Sequence, residues 1–184
     1  MKTLKTFAAA TATAALLATG AIAANPEVGG APMFENKNIV ENAVNSADHT
    51  TLVAAVKAAG LVDTLASEGP FTVFAPVNSA FDALPAGTVD TLLKPENKDM
   101  LTKVLTAHVV AGNWSAADIA AKARASSDGF YHFNAVSGDA LSAQVKGNNV
   151  YIIDESGNAS RVTIADVNQS NGVIHVVNSV LVPK

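Results

Sequence analysis

Apolar residues recur at helical spacing through the first two thirds of this chain, then give way to short β-prone runs separated by Gly/Asn/Ser turns. Helices first and strands later is not the alternation of βαβ units, and it predicts an α+β architecture. Ile39, Val40, Ala43 and Val44 open the helical part. A second helix is expected from Asp48, read as its N-cap, through Leu52, Val53 and Val56 to Gly60, read as its C′ stop. Leu61 to Leu65 reads as another short helical turn. Phe71 to Ala75, bounded by Gly69-Pro70 and Pro76, reads as a strand. Asn78 then caps a helix that carries Phe81 and Leu84. Pro95 suits the first turn of a helix holding Met100, Leu101, Val104 and Leu105, which runs on into His108-Val109-Val110. Ser115 to Asp118 has capping-box form and opens a short helix through Ile119. Strands are expected at Leu141 to Val145, Val150 to Ile153, Arg161 to Ile164 and Val173 to Val182. Lys146 to Asn149 and Glu155 to Asn158 supply hairpin turns between them.

Lys2 and Lys5 precede a run of apolar and small residues from Phe7 to Ile22 that ends in Ala21-Ile22-Ala23. A short basic start, a brief apolar stretch and a small-x-small site describe a secretory signal peptide cleaved before Ala24. The run is diluted by Thr and Ala and falls short of the roughly 20 strongly apolar residues of a membrane span. The expected product is secreted or periplasmic, with no span left after cleavage. Residues 1–23 are the signal, 24–35 a flexible lead and 36–183 one domain. Removing the signal leaves 161 of the 184 residues, enough for one domain with its own core.

The chain has no cysteine. Disulfides, thiolate nucleophiles, redox pairs and thiolate metal sites are thereby excluded, and stability must come from burial and hydrogen bonding. Of twelve basic residues two lie in the leader, so ten face sixteen acids in the remainder. Without Lys/Arg clusters an acidic product lacks the cations that phosphate neutralisation needs, which excludes nucleic acid as a partner. No two of His49, His108, His132 and His175 have the i, i+4 spacing that places two metal ligands on one helix face. Structural hydrogen bonds are the expected role of His108 and His175. Nucleophile elbows and Gly-rich phosphate loops are missing from the sequence. Asp154, Ser156 and Asn158 echo the start of a calcium loop, but Ala159 and Ala165 replace its glycine and its final glutamate, so the segment reads as a hairpin turn. No catalytic residue, metal site or cofactor is expected.

Two long segments carry a family resemblance. Phe71-Thr72-Val73-Phe74-Ala75-Pro76-Val77-Asn78-Ser79-Ala80-Phe81 resembles the first box of the fasciclin domain. Asn171 to Pro183, with His175 and Asn178 inside it, resembles the second. Leu101 to Gly112 resembles the central segment, with its histidine at His108. The resemblance implies a β-wedge or sandwich of about seven strands flanked by several short helices. Thr72, Pro76, Asn78, Phe81, His175 and Asn178 are expected to act structurally: a buried strand, its stop, a helix cap, an inward ring and the final strand. In animal members, integrin recognition is associated with an Asp-Ile pair before the second box and with a Tyr-His pair in the central segment. Asp166-Val167 and Ala107-His108 stand at those positions here, the second without its tyrosine. Asp166, Val167 and His108 are therefore the contact residues the resemblance implies. It also implies a non-catalytic adhesion module for a cell-surface or matrix protein or a polysaccharide. The alternative is a carrier of an apolar small molecule such as a carotenoid or lipid, as in algal members.

Overall fold

The computed structural model describes residues 25–184; the predicted leader lies outside them. A two-stranded hairpin, β1 (Glu27–Val28) with β2 (Ala31–Pro32), comes first. Next are α1 (Ile39–Ala43), α2 (Thr50–Ala59), α3 (Val62–Ala66) and β3 (Phe71–Pro76). They are followed by α4 (Asn78–Asp82), α5 (Thr88–Leu92), α6 (Lys98–Thr106), β4 (Val109–Ala111) and α7 (Ala116–Ala125). The chain closes with β5 (Phe130–Asn134), β6 (Ala140–Lys146), β7 (Asn149–Ile153), β8 (Ala159–Gln169) and β9 (Gly172–Val177). The α+β expectation holds.

Among the described residues β3 to β9 form one seven-stranded sheet in the order β4-β3-β9-β8-β7-β6-β5. The two segments with the least polar character lie side by side in it. Strands β3 and β9 pair in parallel, from Phe71 opposite Gly172 to Pro76 opposite Val177. Every residue of β9 is buried, and so is every residue of β3 after Phe71. A strand covered on both faces needs a near-continuous apolar run, which is what these two sequences supply. All other pairings in the sheet are antiparallel.

The two faces of this pair feed different cores. Val73, Ala75, Ile174 and Val176 point to the helices, where they pack with Leu52, Val56, Leu65, Phe81, Leu101 and Leu105. Phe74 and Val177 point the other way, into a second cluster with Leu141, Ala143, Ile152, Ile119 and Leu181. The sheet curls around that second cluster. Phe74 of β3 and Phe133 of β5, strands far apart in sheet order, bring their ring centroids to 6.3 Å. The Val136 N–H after β5 donates to the Val109 carbonyl of β4 at 2.7 Å, tying the two ends of the sheet together. Curvature of this sort is commonly produced by bulges, and β8 has register shifts between Val162 and Ile164 and between Ile164 and Val167.

One close approach makes glycine necessary. A Cβ on Gly172 would stand 2.0 Å from the Phe71 carbonyl oxygen, so β9 draws alongside β3 only because that position has no side chain. Gly60 ends α2 in the left-handed region at φ 74, the stop expected of it.

Several local expectations are corrected by tertiary structure. Asn78 is the first residue of α4 and does not cap it. Its Oδ1 instead accepts from the Thr51 N–H at 3.0 Å and the Thr50 hydroxyl at 3.1 Å, while its Nδ2 donates to the Ala47 carbonyl at 2.8 Å. It therefore caps α2 from across the fold. Asp48 lies in a 3₁₀ turn before α2 and makes no such cap. The lead expected to be flexible packs: Val28 and Met33 are 3% and 2% exposed and join the larger core. The last strand ends at Val177 instead of Val182, and Val109–Ala111 is a strand instead of a helix end. Phe130–Asn134 is a strand the sequence reading passed over, and α7 runs to Ala125, two turns past Ile119.

These caps can be separated by mutation. Asn78→Ala is expected to lower unfolding stability by about 1–2 kcal/mol through loss of the α2 cap. Asp48→Ala should stay within about 0.5 kcal/mol of the parent. Urea unfolding of the two variants checks this, and equal losses would contradict the assignment.

Candidate functional site

The recognisable motifs converge on a set of polar side chains sunk in the apolar framework. Thr72 is fully buried on β3; its hydroxyl donates to the Gly112 carbonyl at 2.7 Å and accepts from the Trp114 N–H at 2.9 Å. That fixes the segment leading into α7. Ser115 caps α7 by accepting from the Asp118 N–H, but the Asp118 carboxylate accepts from the Ser115 hydroxyl instead of its backbone N–H, so the expected box is only half made. Pro76 ends β3, and Phe81 is buried in the larger core. Asn178 extends the β8 ladder past the end of β9, its Oδ1 accepting from the Arg161 N–H at 2.8 Å.

Three histidines are buried, and each uses both ring nitrogens. On His108, Nδ1–H donates to the Val104 carbonyl at 2.8 Å and Nε2 accepts from the Leu181 N–H at 2.8 Å. This ties α6 to the C-terminal segment. On His175, Nε2–H donates to the Trp114 carbonyl at 2.8 Å and Nδ1 accepts from the Asp166 N–H at 3.2 Å. On His49, Nδ1 meets the Ser46 hydroxyl at 2.9 Å and Nε2 the Ala75 carbonyl at 3.4 Å. One donor and one acceptor per ring is the pattern of neutral imidazole. Burial accordingly pushes all three below the ordinary 6.5, His108 to about 4; the carbonyl bonds oppose the shift without cancelling it.

The pair singled out for contact sits at the β8 bulge. Asp166 has φ 57, uncommon for a residue with a side chain. Its backbone N–H reaches His175, and its exposed carboxylate accepts from the Ala116 N–H at 2.8 Å, in the first turn of α7. A carboxylate there also suits the positive end of the helix dipole. Val167 is 0% exposed and His108 2% exposed. Of the three residues carried over as contacts, only Asp166 reaches solvent, and the three do not form one surface.

Two features escaped the sequence reading. Asn171, which opens the second box, is a hub: Oδ1 accepts from the Ile39 N–H at 3.0 Å, and Nδ2 donates to the Leu65 and Ser67 carbonyls at 2.8 and 2.9 Å. It binds α1 and α3 to the start of β9. The second is an apolar cavity of about 70 Å³ between α1, α2, α3 and the sheet, lined by Ile39, Val56, Leu61, Phe71, Val109 and Ile174 among others. Runs of Val, Ile and Leu read the same whether they fill a core or line a space.

Among the described residues no group of three or more His, Cys, Asp and Glu is placed to hold a metal ion. No helix among them is long and apolar enough to cross a membrane.

The geometry now meets its relatives. The family described as Fasciclin domain matches residues 47–183, and the chain belongs to the fasciclin domain family. It is 51% identical over 145 residues to protein sll1483 of Synechocystis sp., covering 79% of this chain and 73% of that protein. It is 39% identical over 132 residues to the transforming growth factor-beta-induced protein ig-h3 of Sus scrofa, covering 72% of this chain but 17% of that protein. A solved FAS1 domain pair from the insect cell adhesion molecule fasciclin I superposes with a TM-score of 0.69 at 17% identity. That likeness of fold covers 79% of this chain and 50% of the insect chain.

The buried histidines set an acid limit. An unfolded histidine takes up its proton near pH 6.5, whereas folded His108 resists until about pH 4. As pH falls the unfolded chain binds the proton first, so stability is lost across that window. His108 alone accounts for about 3 kcal/mol at the acid end, and His49 and His175 act in the same direction. Denaturant unfolding should show stability falling from pH 6.5 to pH 4, with a shallower slope in His108→Ala. A flat profile would contradict the neutral-imidazole assignment.

Proposed function

We propose that the protein is an exported, non-catalytic adhesion or surface-interaction module whose partner is a cell-surface or matrix protein or a polysaccharide. Membership of the fasciclin domain family carries this reading, and the fold shared with an insect cell adhesion molecule supports it. The signal-like N-terminus adds the export step. The disposition of polar groups agrees: Thr72, Asn171 and the three buried histidines are engaged within the fold and are not presented in an open cleft. Contacts with a partner would then fall to the surface, where Asp166 is the exposed member of the implied contact set.

A carrier role is the second reading, and the apolar cavity is the observation that favours it. At about 70 Å³ it has about half the volume of a 150 Å³ engineered cavity that admits benzene. A carotenoid would enter only if α1 to α3 moved off the sheet.

Surfaces coated with residues 24–184 should retain cells of the source organism or isolated matrix components above an unrelated acidic protein. No retention of any component would remove the adhesive reading. Asp166→Asn should weaken retention if that carboxylate makes contact, whereas unchanged retention would take Asp166 out of the contact set. Native mass spectrometry with an absorption spectrum, on protein purified from its own source, separates the two readings. The adhesive reading expects a bare polypeptide mass; a co-purifying apolar molecule would place the carrier first.

A further inference from the structure

After β9 and Asn178 the chain runs on as a strap, residues 179–184, with no regular secondary structure. Among the described residues, none in the strap makes a backbone-to-backbone hydrogen bond. Side chains from elsewhere hold it instead. The Ser160 hydroxyl of β8 donates to the Ser179 carbonyl at 2.7 Å and accepts from the Ser179 N–H at 3.0 Å. His108 Nε2 accepts from the Leu181 N–H at 2.8 Å, and Asp154 Oδ2 accepts from the Val182 N–H at 2.9 Å. Lys103 of α6 donates to the Lys184 carbonyl.

What the strap covers is apolar on both sides. Val180 is buried in the larger core and Leu181 in the second. The strap therefore closes both cores where the β3–β9 pair ends at Pro76 and Val177. Val182 and Pro183 continue along an apolar groove with Leu92, Met100 and Val104.

The middle bond is the one that a proton can cut. Nδ1–H of His108 is committed to the Val104 carbonyl, so Nε2 accepts only while the ring is neutral. A proton on Nε2 sets one buried N–H against another, and both lose their bond. The charged groups on the elements around this ring are Lys103 on α6, Asp139 before β6, Asp154 after β7, and Lys57 across the apolar cavity on α2. Lys103 and Asp139 pair with each other at 3.4 Å. Asp154 is the one whose charge acts on the ring: it favours the protonated form but does not offset burial. It is also the carboxylate that holds Val182, so a cationic ring competes for the strap's next anchor.

We propose that residues 179–184 are an acid-released strap: proton uptake by His108 frees Leu181 and Val182 and opens the end of both cores while the β3–β9 pair stays formed. The sign follows from linkage. With the strap closed the ring takes its proton only at about pH 4, against 6.5 for a solvated ring, so lowering pH across that window favours the open form.

Amide-resolved hydrogen exchange tests this, as protection factors at pH 6.5 and pH 4 and in rising, sub-denaturing urea. Protection at Leu181 and Val182 should fall at least about tenfold between the two pH values and respond little to urea, the mark of a local opening. The β9 amides should stay better protected and lose protection steeply with urea, as global unfolding does. His108→Gln, whose side chain takes up no proton, should abolish the pH dependence at Leu181 and Val182, while His175→Gln leaves it in place. Circular dichroism certifies that each variant is folded. The unaltered protein is decisive by itself: its strap opening should rise with the uptake of one proton and level off below about pH 4. Protection at Leu181 and Val182 that is the same at both pH values, or that matches the β9 amides in size and urea dependence, would overturn the proposal. So would a folded His108→Gln variant that keeps the full pH dependence.

Discussion

Everything in this domain hangs on the parallel pairing of β3 with β9. It joins two segments about a hundred residues apart in sequence, and it is the one parallel pair in a sheet whose other pairings are antiparallel. The pair carries one core on each face, so the helical layer and the curled half of the sheet share a single two-stranded wall. Close approach at Gly172 and the amide bonds of Asn171 set where that wall begins. The residues that make the family recognisable are largely the residues that build the wall.

Without disulfides, the fold is fastened by buried polar side chains that each bridge distant elements. Asn171, Asn78, Thr72 and the three interior histidines connect a helix end or loop to a strand or to another helix end. Each has its partners inside the protein, and such satisfied bonds are costly to break because a deleted partner leaves a buried group orphaned. The histidine version of this device brings a dependence on pH that a disulfide would not. It also draws His49, His108 and His175 away from solvent, with both ring nitrogens of each engaged inside the fold.

Elements were legible where pattern is local. Strand β3, with Pro76 at its end, the β6 to β8 hairpins and the Gly60 stop follow from residue type and spacing. Partners were not. Nothing in Asn78 says that its amide reaches Thr51 instead of its own helix, because that choice depends on where α2 comes to rest. Strand β5 was missed because Phe130, Tyr131, His132 and Phe133 put rings on both faces, which hides the alternation that marks a half-buried strand. Asp166 was found by resemblance, but its left-handed backbone and its hold on α7 are products of the bulge.

The long span between β3 and β9 also orders events in time. A chain made or threaded from its N-terminus can form its helices and β3 early, yet the wall they rest on does not exist until the last strand, Gly172–Val177, has emerged. Contacts this distant in sequence are slow to form. The two cores that share this wall are therefore completed together, and only once nearly the whole chain is available.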